Sequence, residues 1–478
     1  MRLSCALRPA LLRRGFLARP ALVPLAVRVK NYSSEATPET GAEPAAPVTE
    51  VKSDGAPPAK RATATKAAKA AKAGKPAIQY PPLELGEYTV RRTRLGLDVR
   101  RAKKQHYRPL PWFWLRDNCR CAQCVNQATL QRNFNTFDIP ANIMPASISG
   151  DAEGVSVTWS DGHQSRYPFN FLRRYAEGEP RPGAGDVEHV YWGSEIAQNP
   201  PTVAYDAVMQ SDAGVAEMTR HIMTLGFIFV KGTPYDDPDK TRQLLERIGP
   251  IRVTHYGGFY DFIPDMSMAD TAYTNIALAA HTDTTYFTEP ARLQAFHLLS
   301  HQPAPGASPD ETASGGQSLL VDGFNAAQIL KTENPEAYSI LQKHRLPWHA
   351  SGNEGITIAP STRYPVLESS RGVGAIHRVR WNNDDRGVVP WTKEHSPYKW
   401  YKAARAWDEI LRRKTSEYWF QLEPGTTLIF DNWRVLHGRA AFTGIRRICG
   451  AYICGDDFVS RFRNTNFGRE GALDRVIG

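Results

Sequence analysis

Residues 430–452 read FDNWRVLHGRAAFTGIRRICGAY, and the way this stretch is laid on a backbone decides what the chain can be. Its second half, RICGAY, is apolar and strand-like. On a strand, side chains alternate between two faces, so Arg446, Ile448, Gly450 and Tyr452 share one face and Arg447 points to the other. Only one of the two adjacent arginines can therefore face whatever His437, nine residues before Arg446, faces.

A partner for His437 stands upstream. His281-Thr282-Asp283 puts an imidazole and a carboxylate two residues apart, and on an extended strand both project from the same side. Two histidines and one carboxylate make the facial donor set of non-heme iron oxygenases, which leaves positions open for a chelating co-substrate such as 2-oxoglutarate and for O2. With 13 histidines in the chain, about one His-x-Asp is expected by chance. What lifts the pattern above chance is an arginine close behind His437, because the carboxylate of a 2-oxoacid needs a planar, permanently charged, bidentate partner.

The surrounding sequence fits a β fold with helices outside. GFIFVKG (226–232), LQAFHLLSH (293–301), GQSLLVDGF (316–324) and TTLIFDN (426–432) read as strands, while YDDPDKTRQLLERIG (235–249) carries the acidic start, Pro238 and closing Gly249 of a helix. Further helices are expected at about 324–343 and 396–414, the second with Trp400, Ala404, Trp407 and Leu411 in one stripe. Such an alternation predicts a mainly β architecture with flanking helices, a jelly roll or barrel and not a doubly wound sheet. Short β-like runs at EYTVRRTRLGLDVR (87–100), RPLPWFWLRD (108–117) and GVSVTWSDGHQSRYP (154–168) predict a separate N-terminal β domain over 80–185, with the larger domain over 186–478.

The formal charge of +10 does not indicate a nucleic-acid partner. Residues 1–78 hold 14 Lys and Arg against five acids, so the remaining 400 residues are close to neutral. Residues 1–33 have arginines spaced among Leu and Ala with no acid, the pattern of a mitochondrial transit peptide, which predicts the matrix as destination. Residues 34–79 are Ala, Pro and Lys with almost no large apolar side chain, the composition of a disordered linker. No segment approaches a membrane span. Of six cysteines, Cys119, Cys121 and Cys124 fall within six residues, and such crowding points to metal and not to a disulfide framework.

At these residues the chain resembles the gamma-butyrobetaine and trimethyllysine dioxygenases, the carnitine-synthesis branch of the 2-oxoglutarate oxygenases. The resemblance runs from about 80 to 465 through FWLRDNCRCAQC, VTHYGGFY, DTAYTNIALAAHTDTTYF, GGQSLLVDGF, RWNNDD and the stretch quoted first. It implies a double-stranded β-helix core behind a small N-terminal zinc-binding β domain. It assigns Fe(II) to His281, Asp283 and His437, and 2-oxoglutarate to Arg446 with help from Ser318. It assigns a structural zinc to Cys119, Cys121, Cys124 and His163, and a trimethylammonium cage to Tyr256, Tyr260, Tyr273 and Tyr452.

The resemblance also implies ascorbate as reductant, a small-molecule substrate with O2, and a homodimer. Tyr260 stands where the family pattern has Trp. Of the two substrates, trimethyllysine alone carries an α-ammonium, and Asp270 stands where the gamma-butyrobetaine enzymes have Asn; Asn382 or Asn383 is placed to take the substrate carboxylate. The implied reaction is hydroxylation of trimethyllysine at C3, with gamma-butyrobetaine as the alternative substrate. A catalytically silent scaffold would have no physical need for the three iron ligands or for Arg446.

Overall fold

A period of two organises the core of the protein, seen here in a computed structural model that describes residues 81–101, 108–176, 187–263, 274–308, 310, 312–369, 375–391 and 396–477. In the strand Phe227–Lys231, Phe227 and Phe229 point to one layer while Ile228 and Val230 point to another. In Ser318–Asp322, Leu320 joins the layer of the two phenylalanines, and Leu319 and Val321 join a third. The shared middle layer, which also holds Leu298, Leu428, Phe430, Val435 and Ile448, is the filling between two sheets.

The larger sheet runs in the order Ile251–Arg252, Ile445–Ile453, Leu293–Gln302, Thr426–Asp431, Phe227–Lys231 and Thr202–Ala204, with Tyr260–Phe262 also paired to Ile445–Ile453. The smaller runs Leu278–His281, Val435–Arg439, Ser318–Asp322 and Tyr418–Phe420. Among the described residues the larger sheet is antiparallel except where Thr202–Ala204 joins it. Two sheets facing each other across an apolar layer are a jelly-roll core.

Each outer face is covered by helices, as an apolar second face requires. Asp212–Leu225, Pro238–Glu246 and Gly455–Ile477 lie over the larger sheet. Gly323–Glu333, Pro335–Lys343 and Pro397–Leu411 lie over the smaller, and the stripe Trp400, Ala404, Trp407 and Leu411 is buried there. The single helix expected over 324–343 is two, because Asn334 caps the second, its side chain accepting from Ala337 N, and Pro335 cannot continue the first.

The N-terminal part is built of a four-stranded sheet, Leu83–Leu85 to Leu110–Pro111, and a three-stranded sheet, Pro145–Gly150 to Gln164–Pro168, around Trp112, Leu115, Val157, Trp159 and Tyr167. RPLPWFWLRD, expected as a β run throughout, is a strand only at Leu110–Pro111. Trp112–Asp117 is one turn and a half of helix, entered from extended Pro111, and it buries Trp112 and Leu115 three residues apart on one side. This part is tied to the C-terminal helix by Arg174, which clasps Asp474 through two hydrogen bonds of 2.9 and 2.7 Å. Among the described residues no helix is long and apolar enough to cross a membrane. The transit segment 1–33, the linker 34–79, Asp270 and Tyr273 lie outside the described residues.

Candidate active site

His281 and His437 meet because their strands pair in register, the two Cα atoms directly opposite, with ring centroids 4.3 Å apart. The strand carrying His281 ends at that residue, and Asp283 lies just past it. The carboxylate nevertheless returns to the histidines: Oδ1 is 3.2 Å from His281 Nε2 and 3.7 Å from His437 Nε2. The turn that brings it back is held by Asn432, whose Oδ1 accepts from Asp283 N at 2.7 Å and whose Nδ2 donates to Asp283 O at 3.0 Å. Next in the chain, Thr284 adopts φ of 56°, a left-handed backbone rare for a β-branched residue, and its Oγ1 accepts from Ala291 N.

Two imidazoles and one carboxylate, with ligand atoms all within 4.8 Å of one another, fit a divalent iron and leave the cavity side open. His281 Nδ1 donates to Ala279 O at 2.8 Å, which leaves Nε2, the nitrogen that faces Asp283, as the one that would ligate a metal. Burial, then the charge on His281, pushes His437 down to about 3, which keeps its ring a neutral donor. Burial opposes the ionisation of Asp283, yet His281, by hydrogen bond and charge, and the Tyr452 hydroxyl hold it well below the usual carboxylate range. The far oxygen, Oδ2, accepts from Gln294 Nε2 at 2.7 Å and from Tyr452 Oη at 2.8 Å.

One cavity joins this centre to Arg446, Ser318, Tyr256, Tyr260, Tyr452 and Asn382. Arg446 is buried, and its Nε and Nη1 have no hydrogen-bond partner among the described residues. A buried guanidinium in that condition fits a carboxylate-bearing ligand, since an unmatched buried charge is strongly unfavourable. Burial, then the charge of Arg439, brings Arg446 down to about 10. Gly316, at φ of 72°, allows the approach: a Cβ there would stand 3.3 Å from Arg446 Nε. Arg447 faces the other way and binds Asp261 through hydrogen bonds of 2.9 and 2.6 Å.

The aromatic wall is assembled by the sheet. Tyr260 lies opposite Gly450, where a Cβ would come within 2.8 Å of its ring, so only glycine lets the ring lie over the strand. Its hydroxyl donates to Ala295 O at 2.7 Å, and its ring meets Tyr452 edge-on at 6.1 Å. Tyr256 accepts from the hydroxyl of Tyr286, a further cavity residue, at 3.2 Å. Asn383 is not on the cavity; it is exposed, and Arg386 donates to its Oδ1 at 3.4 Å. Asp385, two residues on, is the carboxylate of that loop that lines the cavity, and Thr285 donates to its Oδ2 at 2.6 Å.

Gln294, Asn432, Arg439 and Asp385 are site residues that sequence reasoning did not single out. Nor was the buried support behind the Asp283 turn: Arg380 donates to Glu368 Oε1 at 3.0 Å and to the carbonyls of Thr285, Phe287 and Thr288, while Arg378 donates to both oxygens of Glu368. For Arg439, which lies over Phe442 at 4.9 Å and lines the cavity, the signal was its place two residues after His437 on one strand face.

Away from this cavity, Cys119, Cys121 and Cys124 converge on His163, their sulfurs 3.3, 3.5 and 3.4 Å from its Nε2. Those are edge lengths a tetrahedral Cys3His zinc would span. Burial, then the thiol of Cys119, pushes Cys124 up to about 12, a state that a bound divalent cation would reverse.

A jelly-roll core with this donor set, and beside it a buried arginine with two N–H groups unmatched among the described residues, defines a dioxygenase that works with Fe(II) and 2-oxoglutarate. The chain belongs to the taurine catabolism dioxygenase TauD, TfdA family, whose profile matches residues 181–452. A second profile, gamma-butyrobetaine hydroxylase-like, N-terminal, matches residues 89–173. Among individual proteins, the chain is 62% identical over 392 residues to the trimethyllysine dioxygenase of Neurospora crassa, across 77% of this chain and 83% of that one. It is 36% identical over 361 residues to the mitochondrial trimethyllysine dioxygenase of Homo sapiens, across 74% and 82%. The match to the trimethyllysine dioxygenase of Meyerozyma guilliermondii is 38% over 379 residues, across 76% and 92%.

Proposed function

We propose that the protein hydroxylates N6,N6,N6-trimethyllysine at C3 while 2-oxoglutarate is decarboxylated to succinate, the entry reaction of carnitine synthesis. The observation that carries this reading is the single cavity in which His281, Asp283 and His437, the buried Arg446, and the rings of Tyr256, Tyr260 and Tyr452 meet. Bound iron supplies the activation of O2 and the removal of an unactivated C–H hydrogen, chemistry no side chain offers. The chain's own residues do the rest. His281, Asp283 and His437 hold the metal, and Arg446, with Ser318 near it, takes a carboxylate of 2-oxoglutarate in a fork of parallel hydrogen bonds.

A quaternary ammonium has no N–H to donate, so ring faces recognise it, each contributing roughly 0.5–2 kcal/mol. Tyr256, Tyr260 and Tyr452 present such faces, and Tyr273 is assigned with them by resemblance. Asn382 is positioned to take the substrate carboxylate. The α-ammonium needs an anion, a role given to Asp270 from sequence, and Asp385 offers a second carboxylate on the cavity wall. The carbon hydroxylated in trimethyllysine lies four bonds from the quaternary nitrogen and in gamma-butyrobetaine two, so one cage-to-iron distance serves one of them.

Incubation of the protein with Fe(II), ascorbate, 2-oxoglutarate and either substrate, with product mass as readout, tests this. Hydroxytrimethyllysine is expected; faster turnover of gamma-butyrobetaine would overturn the substrate assignment. The Cys3His cluster is read as a structural zinc site, since four protein ligands leave no open position. The arginine-spaced leader, together with the mitochondrial naming of mammalian relatives, supports a matrix location.

A further inference from the structure

We propose that Gln294 and the Tyr452 hydroxyl are positioning residues that restrict Asp283 to one metal-binding oxygen and carry the arrival of a cation at the aromatic wall to that ligand. This rests on the reading of His281, Asp283 and His437 as an iron centre.

Gln294 and Tyr452 are direct cross-strand partners on Leu293–Gln302 and Ile445–Ile453, so their side chains rise side by side from one face of the larger sheet. Both end on the same atom, Asp283 Oδ2, at 2.7 and 2.8 Å. Gln294 Nε2 is also 3.5 Å from Tyr452 Oη, which closes a three-membered ring of contacts. With Oδ2 occupied by two donors, Oδ1 remains for the metal, and it is Oδ1 that faces both imidazoles. One-oxygen ligation spares a coordination position that a carboxylate bound through both oxygens would fill.

Gln294 is 1% exposed in a strand where Leu293 and Ala295 flank it. A buried amide there is unfavourable without a polar task. Its orientation is fixed by chemistry, because only the NH2 end can face a carboxylate. The carbonyl end, Oε1, is left buried without a hydrogen-bond partner among the described residues. That unfavourable arrangement is tolerated for the sake of the bond to Asp283.

Tyr452 has two surfaces in use at once. Its ring meets Tyr260 edge-on in the aromatic wall, while its hydroxyl points to Asp283. A trimethylammonium group against that ring draws density from the phenol and makes the O–H a stronger donor, which takes electron density from Asp283 in turn. Substrate and iron ligand are thus joined through one side chain.

The test is anaerobic Fe(II) binding by calorimetry to the full chain, with the unfolding midpoint of each variant measured alongside. Tyr452→Phe keeps the ring and removes one oxygen; Gln294→Met keeps the length and removes the amide. Each is expected to weaken iron about 10–100-fold, as loss of a group supporting a metal ligand does. The double variant should lose less than the product of the two, since both bonds serve one atom. Tyr260→Phe, whose hydroxyl serves a backbone carbonyl instead, should bind iron as the wild type does.

A purely structural role would not produce the second readout. Trimethyllysine is expected to shift the metal-to-ligand charge-transfer band of the anaerobic Fe(II) and 2-oxoglutarate complex in wild type and in Tyr260→Phe, and not in Tyr452→Phe. Unchanged iron affinity in Tyr452→Phe and Gln294→Met, with affinity lost in His437→Ala, would overturn this inference and leave the iron site standing. Retention of iron by His437→Ala would overturn the iron site itself. If Gln294→Met does not fold, Tyr452→Phe decides alone.

Discussion

Arg446 and Arg447 are neighbours in sequence with opposite electrostatic circumstances. Arg446 is buried on the cavity that His281, Asp283 and His437 line, with two N–H groups unmatched among the described residues, while Arg447 is on the outer side, paired to Asp261. Arg446→Met should raise the KM for 2-oxoglutarate about 10–100-fold for each charge-assisted hydrogen bond lost. In the absence of co-substrate the same variant should unfold at a higher temperature, because an uncompensated buried charge is replaced by an apolar chain of similar length. Arg447→Ala should move neither quantity much, as exposed pairs contribute little. The reverse pattern in steady-state kinetics and thermal melts would show that the wrong arginine serves the cavity.

The Cys3His cluster should hold about one zinc per chain by elemental analysis, separate from iron. Cys121→Ser, or treatment with a strong chelator, should lower the melting temperature more than it lowers the specific activity of the molecules that remain folded. A metal-free cluster in a fully stable protein would contradict the zinc assignment.

Glu368 stands between Arg378 and Arg380 with almost no exposure. Burial opposes its ionisation, but the two guanidiniums outweigh that and hold it below the usual glutamate range. A depressed carboxylate contributes stability that is complete above its unfolded value and lost as pH falls through the folded one. Glu368→Gln should therefore lower unfolding free energy at neutral pH by about 3–5 kcal/mol, the penalty for leaving buried cations unmatched. Denaturant titrations down the acid range should show a steeper decline in the wild type than in the variant, which keeps only the share of the other depressed carboxylates.

Replacing the Tyr260 ring tests the aromatic wall. Tyr260→Leu keeps bulk and removes a π face, so the KM for trimethyllysine should rise about 2–30-fold, in line with the range for one cation–π contact. Competition by a carbon isostere of the substrate, uncharged at the quaternary centre, should become relatively stronger in the variant.

The three iron-ligand candidates were legible because His-x-Asp and a distant His before an arginine are local signatures, and strand alternation separated Arg446 from Arg447 once the chemistry called for one of them. Gln294 was not legible. In LQAFHLLSH it is one of four polar residues in a largely apolar strand, and its importance comes from lying across from Tyr452, a pairing no local pattern encodes. Asn432 belongs to the same class, as it acts through backbone groups of Asp283 and Ala291. The helix at Trp112–Asp117 escaped because its aromatics mimic a strand, whereas its burial repeats every three residues.

The place of Ile445–Ile453 in the larger sheet has a consequence for how the molecule comes into being. It lies between Leu293–Gln302 on one side and the short strands Ile251–Arg252 and Tyr260–Phe262 on the other. A ribosome must therefore deliver the whole chain from Gln302 to Ile445 before those earlier strands find their partner. Until then the apolar strand LQAFHLLSHQ, whose other neighbour Thr426–Asp431 is also far downstream, carries open backbone groups along its edges, the form most prone to pair with another chain. Such long-range closure is slow, so yield should depend on chaperones that shield these edges. Because the closing strand also bears Arg446 and Tyr452, no partly synthesised chain can hold a working site.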